Sequence, residues 1–269
     1  MGAFANYTAY LESLNNQAGV GFSVPAATGV VARLTALYRG FAIAPAIPTT
    51  SAALDNTSDV ALSNLPIVSS GTLTLLGARF HSNLNSGVCV IVADILNQCG
   101  GLSGTVTTPQ TTSLPTAALT RCTSGEGVMA GIIVYTSIGS TGTSVTVEYT
   151  NQNGTTGRSS TRNIGATNFR EINSLLLIPL QDGDTGVRSV ESVTLLASTG
   201  TAGNFGIVLF KPLSMMAFND QSGSHVVDAV SSGGFIGALN QAESGACLSL
   251  LAIQSSSQSM TGSLLVAEV

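Results

Sequence analysis

The sequence predicts a mainly all-β protein, an antiparallel β-sandwich or jelly-roll-like barrel preceded by a short helical and extended N-terminal arm. Three observations lead there. From Ile67 onward the apolar residues fall into short runs or strict alternation of strand length. Gly, Asn, Asp and Ser punctuate those runs at turn spacing. Patterns long enough for helical crossovers are missing between them, so the roughly ten expected strands pair antiparallel rather than in a parallel sheet.

The arm comes first. In Ala5 to Leu14 the residues Tyr7, Tyr10, Leu11 and Leu14 recur at helical steps and predict a short amphipathic helix. A second helix is expected from Thr28, a candidate N-cap after Pro25, with Val30, Val31, Leu34, Leu37 and Tyr38 on one face and Gly40 as its stop. Pro45, Pro48 and a Thr/Ser-rich run ending near Pro66 read as an extended segment. The expected organisation is an arm over residues 1–66 and a β-sandwich body over residues 67–269.

In the body, the clearest hairpin begins at Ser144 to Thr150, where Val145, Val147 and Tyr149 alternate with Thr146 and Glu148. Asn151 to Gly157 forms its turn, Asn153-Gly154 supplying residues that tolerate positive φ. A second turn, Gln181 to Gly186, separates Leu175 to Leu180 from the strand Val187 to Leu195, and Gly200 to Asn204 is expected to close a hairpin into Phe205 to Phe210. Cys89 to Leu96, Val128 to Tyr135 and Leu248 to Ile253 read as buried strands.

Composition narrows the function. Only 9% of residues are charged, against about 25% in an ordinary soluble domain. Ser, Thr, Asn and Gln, or other subunits, must therefore cover the surface, and burial in an assembly is the favoured reading. The net charge is −5, Lys211 is the only lysine, and the eight arginines are scattered. A grip on phosphates needs a clustered basic stripe, so neither nucleic acid nor an anionic membrane is an expected partner. No apolar run reaches the length of about 18 residues that spans a bilayer. Glu12, Asn15 and Asn16 interrupt what a signal peptide would keep apolar, so the protein is expected to stay in a cytoplasm until it assembles.

No catalytic, cofactor-binding or metal-ligating residue is assigned. His81 and His225 stand in no ligand motif, and no GxSxG accompanies the many serines. Cys89, Cys99, Cys122 and Cys247 lack metal spacing and read as reduced apolar thiols, with a Cys89–Cys99 disulfide across a hairpin as the alternative. The acidic loop Asp182 to Gly186 lacks the spacing and terminal Glu of a calcium loop and reads as a turn bonded to its own backbone. Gly139 to Gly142 and Gly233 to Gly237 do not match a phosphate loop, and with Gln221 to Ser224 and Ser231 to Gly234 they read as turns.

Three strings carry a resemblance: GLSGTVTTPQ at Gly101 to Gln110 with Ala118 to Arg121, VTVEYTNQNGTTGRS at Val145 to Ser159, and IPLQDGDTGVRSVESVTLLASTGTAGNFGIVLFKPL at Ile178 to Leu213. They resemble a family of virion structural proteins of tailed bacteriophages. Where that family favours tryptophan near positions 38 and 135, this chain holds Tyr38 and Tyr135. The resemblance implies a virion location and a non-enzymatic role as a capsid decoration or cement protein. Its implied partners are copies of itself, as a homo-oligomer, and the major capsid or other virion proteins. A host-binding module of a tail or head fibre is the competing expectation, weakened by aromatics that make up 5% of residues and are dispersed.

Overall fold

The computed structural model describes residues 17–25, 33–40, 45–62, 72–83, 87–114, 118–166, 169–218, 225–228, 241–256 and 259–268. The helix expected at Ala5 to Leu14 and the turns at Gln221 to Ser224, Ser231 to Gly234 and Gly233 to Gly237 lie outside these residues. In chain order the strands are β1 (Gln17–Val24), β2 (Leu34–Ala36), β3 (Ala52–Ala53), β4 (Thr72–Ser82), β5 (Val88–Gln98), β6 (Gln110–Thr111), β7 (Met129–Thr136) and β8 (Thr143–Asn151). They continue with β9 (Arg158–Ile164), β10 (Leu175–Leu177), β11 (Val187–Leu195), β12 (Asn204–Phe218), β13 (His225–Asp228), β14 (Gln241–Glu243), β15 (Leu248–Gln254) and β16 (Met260–Glu268). Every strand pairing among them is antiparallel, and the protein is all-β as the sequence predicts.

Strands rich in apolar residues on both faces form the centre. Their sheet runs β10-β7-β12-β5-β15-β2, with β3 also on β5. It curls until its edges meet at the bridge Thr35↔Ser174, sealed by the Ala36 amide donating to the Asn173 carbonyl at 3.0 Å. Ala93 and Ile95 of β5 and Ile133 and Tyr135 of β7 point into this barrel, where they pack with Phe210, Leu251 and Tyr38. The two tyrosines are among the largest fully buried side chains. The Tyr135 hydroxyl donates to the Cys99 carbonyl, and the Arg39 guanidinium lies 5.1 Å from the Tyr135 ring centre.

Two further sheets cover the barrel's outer face. The first, β1-β16-β4-β13 with β14 beside β4, packs Val20, Phe80 and Leu264 against Val88, Val90 and Val92 of β5. The second, β6-β11-β8-β9, packs Val145, Val147, Val190 and Val193 against Ile132, Ile207 and Leu96. Alternation explains both, since each strand buries one face and shows the other.

Several expectations need correction. Over Thr28 to Gly40 the described part is not an α-helix: Leu34–Ala36 is strand β2, and only Leu37–Gly40 forms a turn of 3-10 helix. Pairing with β15 and burial of Leu34, Ala36 and Tyr38 in the barrel override the helical spacing. Gly200 to Asn204 does not close a hairpin, because β11 belongs to an outer sheet and β12 to the barrel. With Phe205 to Phe210 all buried, β12 needs neighbours over both faces, which a strand of the one-sided outer sheet would not have. Described residues of the expected arm also enter the sheets, β1 along β16 and β2 at the barrel seam.

Candidate functional site

Three features outside the ordinary core could carry function. The first is an apolar face. β5, β12 and β15 run on past the closed part of the barrel, with Ile91 of β5 between Met215 and Leu251, then Cys89 between Ala217 and Ile253. A register shift between Pro212 and Ser214 turns Met216 toward the outer sheet and leaves Met215 and Ala217 on the opposite side. Met215 is 70% and Ile253 43% exposed, Ala217 is exposed, and Cys89 and Ile91 are half-buried. The result is an uncharged band across three neighbouring strands. Burial raises the Cys89 thiol above its usual range, so the group is an apolar contact rather than a thiolate nucleophile.

The acidic loop is the second feature, and it is structural in a different way from that expected. Asp184 reaches across to the β8–β9 hairpin, accepting from the Tyr149 hydroxyl at 2.6 Å, Asn151 Nδ2 at 2.7 Å and Arg158 Nε at 2.9 Å. Within the loop its amide donates to the Gln181 carbonyl at 3.0 Å. Burial opposes ionisation, but the hydrogen bonds from Arg158, Tyr149 and Asn151 outweigh it and hold the carboxyl down at about 2. Gly183 takes a φ of 84°, as a turn glycine should. Gly186 does not; it is glycine because a Cβ there would stand 1.8 Å from the Gly125 carbonyl oxygen.

An acid whose folded pKa lies below its unfolded value stabilises the fold fully above the unfolded value, and loses that contribution as pH falls through the folded one. Stability should therefore decline between the ordinary aspartate value of 3.8 and about 2. Asp184→Asn keeps the shape without the titration, so its melting temperature should fall less steeply over that interval. Parallel slopes for the two proteins in pH-dependent melts would remove Asp184 as the cause.

The third feature is a buried ion pair. Asp94 shares a face of β5 with Val92, which packs under one outer sheet, and Leu96, which packs under the other. It therefore marks the seam between them. Arg121 meets it in two bonds, Nε to Oδ2 at 3.1 Å and the NH2 nitrogen to Oδ1 at 2.8 Å, while the Cys247 amide donates to Oδ1 at 2.8 Å. Burial raises the Asp94 carboxyl, and Arg121 opposes that shift. The same loop is stitched to both outer sheets: the Cys122 amide donates to Glu243 of β14, and the Ser124 carbonyl accepts from Arg188 of β11. Sequence reasoning misses this pair, although a lone aspartate inside the apolar run of β5 signals a buried partner.

The residues weighed from sequence are not brought together. His81 is exposed on β4 and His225 pairs opposite Phe80 on β13. All four cysteines are free. Cys89 and Cys99 cannot pair, because they stand at opposite ends of one extended strand, about 30 Å apart at strand rise. Lys211 lies in register with Asp94 at the seam. Gly139 packs on the Thr199 carbonyl in the loop after β7. Among the described residues no three His, Cys, Asp or Glu side chains gather as a metal site, and no helix is long and apolar enough to cross a membrane. An open depression of about 410 Å³ is lined by Thr161, Arg162, Asn163, Phe169 and Leu176 beside β9.

Fold and surface define an all-β protein: a small closed barrel clad by two antiparallel sheets, with an apolar face at one end. No family model matches the chain. No curated protein matches it either. Among solved structures, the chain is similar to the infectious bursal disease virus VP2 subviral particle at 11% identity, over 94% of this chain and 80% of that one, with a TM-score of 0.22. The structure of the infectious bursal disease virus Gt strain matches at 11% identity over 94% and 81%, also with a TM-score of 0.22. A TM-score this low carries no inference about role.

Proposed function

We propose that the chain is a non-enzymatic structural component of a bacteriophage particle, a capsid decoration or cement protein held by copies of itself and by capsid or other virion neighbours. The observation that carries this reading is the uncharged face of Cys89, Ile91, Met215, Ala217 and Ile253 on a protein with 9% charged residues. An apolar face displayed across three strands suits permanent contact with a neighbouring subunit. The resemblance of the strings at Gly101 to Gln110, Val145 to Ser159 and Ile178 to Leu213 to tailed-phage virion proteins supports the same role. Assembly from a pool in the host cytoplasm belongs to this reading.

Mass spectrometry of purified particles tests it. The wild-type chain should be abundant there, and a Met215→Glu variant should be depleted about tenfold or more. Docking would bury an unpaired carboxylate, and 1.4 kcal/mol already corresponds to a factor of ten. Position 215 is exposed, so the free protein should fold normally. Absence of the wild-type chain from particles would sink the proposal.

A further inference from the structure

The strand edges of this protein are guarded unequally. β9, an outer edge, carries Arg158 and Arg162; β6 is two residues long; β13 is four residues long and ends in Asp228; the barrel's edges close on each other. Charge, shortness and closure are the ordinary defences against edge-to-edge pairing. β1 has none of them. It is eight residues long with the sequence QAGVGFSV, has no charge and no proline, and pairs with β16 without a register shift. Among the described residues nothing pairs with its other side.

From this edge we infer that β1 is the contact between two copies of the chain, which pair antiparallel, β1 against β1, about a two-fold axis and so join their β1-containing sheets into one. The inference rests on the proposed assembly role and names one of its interfaces. A second copy is the fitting occupant because one strand on both sides of a two-fold axis needs no other complementarity. The faces agree. Val20 and Val24 are buried on the core side, Phe22 packs there with its ring 5.3 Å from that of Phe80, and pairing would continue this row across both copies. On the solvent side Gly19, Gly21 and Ser23 are exposed and small, so no side chain of theirs keeps two sheets from meeting flush. An eight-residue strand gives about 26 Å of edge and about eight main-chain hydrogen bonds, within the roughly ten of a typical interface.

The test uses the full chain carrying Gly19→Lys and Gly21→Lys. A Cβ at Gly19 meets nothing within 4 Å and one at Gly21 only the Gly262 carbonyl at 3.9 Å, so the fold should be kept, and circular dichroism checks it. Across a two-fold pair the lysines face their own copies, and like charges on adjacent strands repel. Light scattering should give the wild type twice the chain mass of 27.2 kDa, or an even multiple, and the lysine variant a single chain. Mixing it with a Gly19→Glu/Gly21→Glu variant should restore the pair. A single-chain mass for the wild type, an unchanged mass for the lysine variant, or a mixture that stays monomeric would each overturn the inference. Pairing in a protein missing from purified particles would overturn the particle role alone. A particle-resident protein whose mass the lysines leave unchanged would overturn the pairing alone.

Discussion

Replacing Arg121 with Met should destabilise the protein by about 3–5 kcal/mol, the usual cost of stranding one member of a buried ion pair. In a domain of this size that is a fall of roughly 6–20 degrees in melting temperature. The side chains of Arg121 and Asp94 are 6% and 1% exposed, so water cannot solvate the carboxylate left behind. A second change should repair much of the damage. Asp94→Asn removes the charge but keeps an oxygen for the Cys247 amide, so the Asp94→Asn/Arg121→Met double variant should recover more than half of the loss. The single variant should also show an enlarged acid response at Asp94, of the same sign as in the wild type. Without Arg121, burial and the charge of Glu243 are opposed only by the Cys247 amide, so the folded pKa of Asp94 rises further above the unfolded value. The folded state then holds the proton more tightly, so the penalty is full above the folded pKa and fades as pH falls toward the unfolded one. A single variant within about 1 kcal/mol of wild type would show that the seam does not depend on the pair.

What could be read from the sequence follows from the range of the interactions. The β8–β9 hairpin was legible because Val145, Val147 and Tyr149 alternate and the Asn153-Gly154 turn lies beside them; Gly154 has a φ of 78°. Barrel closure was not, since Thr35 and Ser174 lie far apart in the sequence and meet only through the tertiary fold. The apolar spacing Leu34, Leu37, Tyr38 fits a helix locally, and only the barrel's interior explains why Leu34, Ala36 and Tyr38 are the residues that share a face. The need for glycine at Gly186 was not legible, because its constraint comes from Gly125, far back in the chain. The Asp184 carboxylate likewise finds Arg158, outside its own turn. Of the surface features, β1 was readable in principle: Val20, Phe22 and Val24 alternate with Gly19, Gly21 and Ser23. The Met215 face was not, because a register shift decides which of two adjacent methionines is buried.

Removing residues 1–66 should abolish cooperative folding, although the composition break near Pro66 suggests a detachable arm. β1 supplies an entire strand to one outer sheet, pairing residue for residue with β16 from Gln17↔Ala267 to Val24↔Met260. β2 supplies the closing edge of the barrel, and Tyr38 fills its interior. The deletion would strip Val20, Val24, Leu34, Leu37, Tyr38, Leu54, Val60 and Leu62 from two core clusters, each of them buried. At about 1.5–3 kcal/mol for each large apolar side chain, the loss is on the order of 10–20 kcal/mol. A whole domain is stable by only about 5–15 kcal/mol. The truncated chain should therefore lose its sigmoidal thermal melt and expose apolar surface to a fluorescent dye, while the full chain melts in one transition. A chain beginning at residue 67 that still melts cooperatively, near the wild-type temperature, would show that the barrel closes and the outer sheet holds without β1 and β2.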